Sequence, residues 1–95
     1  MYTDTLDTKV ARAPRTIGNQ LARFAVKLEF SVIRVALATG ATRMTVYNWY
    51  KGGRVSKVYL DRVERLMDIL QYAIKNGRSA DDAWAQAVEI FDLDR

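Results

Sequence analysis

The sequence predicts an all-α fold of about five helices. Three observations carry that expectation: apolar residues recur at steps of three and four from Thr16 onward, four of these runs follow a Ser or Thr, and no segment alternates apolar and polar residues as a half-buried strand would. Residues 1 to 15, which hold the only proline, Pro14, show neither period and are expected to form a flexible basic arm. The first helix should run from Thr16 to Glu29, with Ile17, Leu21, Phe24, Ala25 and Leu28 on one stripe and the Thr16 hydroxyl as N-cap. Ser31 caps a second, short helix from Val32 to Ala38 whose inner side carries Val32, Val35 and Ala36. Gly40 tolerates a left-handed backbone just past a helix end, so Thr39-Gly40-Ala41 reads as the turn to the next helix.

Thr42 caps the third helix, Arg43 to Tyr50, which Gly52-Gly53 ends. A fourth, from Lys57 to Asn76, aligns Leu60, Val63, Leu66, Met67, Leu70 and Ile74 before Gly77 stops it. The fifth, from Ala80 to Phe91, opens with Ser79 as cap and Asp81 and Asp82 in its first turn, where carboxylates complement the helix dipole. The expected organisation is a basic arm (1–15), a helical domain (16–76) and a C-terminal helical extension (77–95).

Composition narrows the chemistry. At 95 residues the chain has room for one small domain. With no Cys and no His, disulfides, thiolate metal sites, thiol nucleophiles, imidazole acid–base groups and the commonest metal ligand are all excluded. Catalysis would have to run on carboxylates, Lys, Tyr or a bound cofactor, and the expectation is a protein that is not an enzyme and carries no cofactor or metal. Asp81 and Asp82 do not form a catalytic pair, because neighbours on a helix diverge by about 100°. No run of 18 apolar residues and no signal-peptide layout occurs, which gives a cytoplasmic expectation with no membrane partner.

The formal charge of +4 conceals a polarised chain. Residues 8 to 57 hold ten basic residues (Lys9, Arg12, Arg15, Arg23, Lys27, Arg34, Arg43, Lys51, Arg54 and Lys57) against one acid, Glu29, for a net +9. Residues 58 to 95 hold five basic and eight acidic residues, a net −3. A basic front of this kind is the electrostatic footprint expected of a duplex-binding face.

The stretch from Ser31 to Gly53, SVIRVALATGATRMTVYNWYKGG, adds a geometric signal. Two short helices that meet closely need a small residue on the first, a Gly in the turn and a β-branched apolar residue inside the second; Ala36, Gly40 and Val46 fill those places, with Val35 and Trp49 as further inner contacts. This pattern resembles the helix-turn-helix of the phage repressor and Cro (lambda repressor-like) superfamily, over about Thr16 to Gln71. Members often open the second helix with a Gln that reaches a phosphate. Val32 stands there, so that contact is not carried over.

The resemblance implies a sequence-specific transcriptional regulator, a phage-type repressor, that enters the major groove of double-stranded DNA with the helix from Arg43 to Tyr50. With Val46 and Trp49 inward, Arg43, Met44, Tyr47 and Asn48 face outward as candidate base contacts. Arg43 suits guanine O6 and N7, Asn48 suits adenine N6 and N7, and Met44 suits a thymine methyl. Thr42, Thr45, Lys51, Arg54 and Lys57 are candidate phosphate contacts, and Lys9, Arg12 and Arg15 candidate groove contacts from the arm.

The last helix carries an apolar stripe, Ala80, Ala83, Trp84, Ala87, Val88 and Phe91. Such a stripe either completes the core or meets a partner; repressors of this kind are usually paired to reach two half-sites, so Trp84, Val88 and Phe91 are expected at a homodimer interface. Two other functions fit the same residues. One is a small phage-encoded module that binds and inhibits a host protein through this helix, and the other an accessory protein of DNA packaging or recombination.

Overall fold

The computed structural model describes residues 4–93, and among them there are six helices and no strand. In order they are α1 (Asp4–Arg12), α2 (Ile17–Leu28), α3 (Val32–Thr39), α4 (Arg43–Tyr50), α5 (Lys57–Lys75) and α6 (Ala80–Ile90). The expected boundaries from α2 onward hold to within a residue or two because the caps behave as their chemistry requires. Thr16, Ser31, Thr42 and Ser79 each accept a hydrogen bond from the backbone N–H three residues on. At Ser79 the bond is reciprocated, since Asp82 accepts from the Ser79 N–H. Gly40 closes α3 at φ +80°, donating its N–H to the Ala36 carbonyl at 2.9 Å.

The flexible arm expected over residues 1 to 15 requires correction from Asp4 onward, residues 1 to 3 lying outside the described residues. Residues 4–12 are helical, and Val10 is only 3% exposed. Within the helix the signal is one i, i+4 apolar pair, Leu6 and Val10, too short to establish a period in the sequence. Packing against α2 supplies what local propensity lacks, because a nine-residue helix is marginal in water by itself.

α5 lies along α2 and supports α3 and α6, while α4 rests against α2 and α3. One core runs continuously from Val10 through Leu21, Ala25, Phe30, Val35, Val46, Trp49, Val63, Leu66 and Leu70 to Ala83 and Ala87. Val10 on one side and Ala83 and Ala87 on the other therefore join the same core as residues 16–76. On α6, Val88 is 7% exposed, while Trp84 and Phe91 are half-buried against that core. Trp84 packs its ring 6.2 Å from that of Phe30, and the Arg34 guanidinium lies 5.4 Å from the Trp84 ring centre. The stripe expected to meet a second copy is thus largely occupied within its own chain, where it covers α3 and α5.

A candidate nucleic-acid interface

α4 is held from one side and open on the other. Val46 is fully buried, Trp49 and Tyr50 nearly or wholly so, and the Trp49 ring meets Tyr59 edge-on at 5.4 Å. Beneath it, α2 comes unusually close. A Cβ placed on Gly18 would stand 2.6 Å from the Trp49 Cβ and 2.9 Å from its carbonyl oxygen, so only glycine fits. The adjacent Asn19, fully buried, donates from Nδ2 to the Tyr50 carbonyl at 2.9 Å. These contacts fix the helix in rotation and in height.

Rotation decides which side chains remain outside. Arg43, Met44, Tyr47 and Asn48, the four candidate base contacts, are all exposed, with Met44 at 73%. Thr45 is half-buried on the flank. Thr42 is exposed, but its hydroxyl is engaged twice in the cap: it accepts from the Thr45 N–H at 3.1 Å and donates to the Thr45 hydroxyl at 3.0 Å. That geometry leaves the Thr45 hydroxyl proton, not that of Thr42, as the free donor at this end.

Past α4 the chain folds back under the helix. The Gly53 N–H donates to the Asn48 carbonyl at 2.8 Å, and a Cβ at Gly53 would come within 2.6 Å of that oxygen. Val55 is buried and anchors the loop, while Lys51 and Arg54 project from it and Lys57 from the first turn of α5, all three exposed. Candidate phosphate contacts therefore stand on an anchored loop beside the open face of α4.

The ten basic residues of the front divide into two groups. Arg23 and Arg34 are structural. Arg23 donates to Asn19 Oδ1 at 2.8 Å and to the carbonyls of Val10 and Ala11, and Arg34 pairs with Asp81 at 3.0 Å. The other eight, Lys9, Arg12 and Arg15 among them, are exposed and make no ion pair among the described residues. Unpaired cations keep their full charge available to an external anion.

Sequence reasoning missed Gly18, Asn19, Tyr50 and Val55 as parts of this site. None touches the open face; each positions something that does. Asn19 left no readable trace, because it lies opposite the stripe of Ile17, Leu21, Phe24, Ala25 and Leu28 and the two carbonyls to which its amide donates are 9 and 31 residues away. Among the described residues no group of three or more His, Cys, Asp or Glu is placed to hold a metal ion, and no helix is long and apolar enough to cross a membrane. No protein-family model, no curated protein and no solved structure matches this chain.

Proposed function

We propose that the chain is a sequence-specific double-stranded DNA-binding protein, acting as a transcriptional regulator, and that α4 enters the major groove. The observation that supports this most directly is the outward row of Arg43, Met44, Tyr47 and Asn48 on a helix whose other face is locked by Val46, Trp49 and Asn19. An isolated surface helix of such residues would be unremarkable. Here it is flanked by Lys51, Arg54 and Lys57, which make no ion pair among the described residues, so base-edge donors and phosphate-directed cations lie side by side.

Selection from a random duplex library should yield a defined motif, with log K falling linearly against log salt. Arg43→Ala should relax one base position, whereas Lys51→Ala and Arg54→Ala should weaken all sequences about equally. No enriched motif, or a motif unchanged by Arg43→Ala, would defeat the assignment. Pairing of two copies supplies two half-sites, and with Val88 buried the large apolar residues left exposed on α5 and α6 are Val58 in the first turn of α5 and, where the two helices pack together, Tyr72 and Ile90, each about half exposed. A solution mass that stays monomeric on the selected duplex rules this pairing out.

A second reading is favoured by Ile33 and Leu37, both more than half exposed on α3. They wall an open groove of about 600 Å³ whose floor is Ala36, Gly40 and Ala41, with Arg43 on its rim and no carboxylate among its lining residues. A protein partner presenting an acidic amphipathic helix fits that surface, in place of the α6 stripe. Loss of such binding in Ile33→Asp/Leu37→Asp, with DNA selection intact, separates this reading from the first.

A further inference from the structure

We infer that α1 and the turn after it form a fixed phosphate clamp at the C-terminal end of α4, with Arg12 and Arg15 as the contacting cations and Asn19 as the residue that positions them. The inference rests on the duplex-binding reading above and replaces a groove-lying arm with a docked element.

Asn19 belongs to α2 and reaches two other helices at once. Its Nδ2 donates to the Val10 carbonyl in α1 and to the Tyr50 carbonyl in α4, both at 2.9 Å. The last turns of α1 and α4 thus hang from one buried amide. Its Oδ1 accepts from Arg23 Nε at 2.8 Å, and Arg23 Nη2 donates to the Ala11 carbonyl at 3.1 Å, which ties the end of α1 a second time. A further joint lies just outside: a Cβ on Gly52 would meet Pro14 Cδ at 2.8 Å, so the turn after α1 rests on the turn after α4.

Sequence neighbours convert these joints into a charge arrangement. Arg12 lies two residues beyond Val10, Arg15 follows Pro14, and Lys51 precedes Gly52. Together with Arg54 these cations are exposed and make no ion pair among the described residues. Two helix C-termini meet here, each worth about half a negative charge, so four cations leave a clear positive surplus beyond what the helix ends neutralise. A phosphodiester backbone passing the end of α4 would meet cations whose backbone is already ordered, without the entropy that a free arm loses on binding.

The test uses the full chain and its library-selected duplex. In Arg12→Gln/Arg15→Gln, affinity should fall about tenfold or more and the slope of log K against log salt should become shallower by about two, with base preferences unchanged. An unchanged slope overturns the clamp, including the case where only the melting temperature falls, which marks the arginines as helix-end compensation. A changed base preference also overturns it and restores a groove-reading arm. Wild-type protein that selects no motif and shows no salt dependence instead identifies failure of the duplex-binding reading itself. For Asn19, the effect of the double Arg substitution should shrink in an Asn19→Ala background, because the arginines are no longer held in place. Pro14→Gly, which removes the outer joint without leaving buried carbonyls unpaired, should shrink it as well. Full additivity in the Pro14→Gly and Asn19→Ala backgrounds overturns the positioning role.

Discussion

α4 and α6 carry sequences that invite the same interpretation and structures that separate them. Both are short, capped by a hydroxyl at the residue before the first turn, and both present residues suited to a partner. In α6 the stripe packs on its own chain: Ala83 and Ala87 are fully buried, and Trp84 and Phe91 lean on the core. In α4 the inner face is filled by Val46, Trp49 and Tyr50, and the outer face stays open. An apolar stripe is what a fold consumes first, whereas a row of Arg, Asn and Tyr cannot be consumed by a core without partners for its polar groups. The polar face of α4 is therefore a stronger indication of an external ligand than the apolar face of α6.

Substitution can break this comparison, beginning with the largest effect. Ala87→Asp places an unpaired carboxylate in the core and should cost several kcal/mol, abolishing a cooperative thermal transition. If the variant melts like the wild type and only its solution mass changes, α6 is a partner surface after all. Gly18→Ala drives a methyl into the backbone at Trp49 and should cost about 1–3 kcal/mol in a denaturant titration. A null result there would mean that α4 is not seated on α2. Ser79→Ala removes the side-chain half of the α6 capping box and should cost about 1 kcal/mol, or about 4–8 °C in melting temperature.

The smallest effect sharpens the contrast most. Arg43→Ala and Asn48→Ala lie on the open face and should change stability by less than about 0.5 kcal/mol while altering DNA selection. Residues that matter to binding but not to folding are the opposite of those on the inner face of α6. A destabilisation of either variant comparable to that of Ser79→Ala would remove that distinction.

Much of the fold was legible because its signals are local. Caps at Thr16, Ser31, Thr42 and Ser79, the stop at Gly40 and the stripe of α5 each lie within a few residues of the element they define. α1 was not legible, since Leu6 and Val10 acquire meaning only against α2. The exposed row on α4 followed from placing Val46 and Trp49 inside. The joints that hold it did not: the relation of Asn19 to Val10 and Tyr50, and of Gly52 to Pro14, exists only once distant turns are brought together. Charge showed a similar limit. Counting Lys and Arg located the basic front, but not that Arg23 and Arg34 are engaged within the protein while the other eight remain exposed.

The close approach of α2 to α4 also constrains how this sequence can diverge. Gly18 meets Trp49 and Asn19 meets Tyr50, two adjacent contacts each spanning 31 residues. A side chain gained at position 18 requires the backbone at position 49 to withdraw, and that withdrawal lengthens the bond from position 19 to the carbonyl of position 50. The two pairs can drift only together. Related sequences that preserve the seat of α4 should keep a glycine followed by a buried amide at this point in α2, even where every residue on the open face has changed to suit a different ligand.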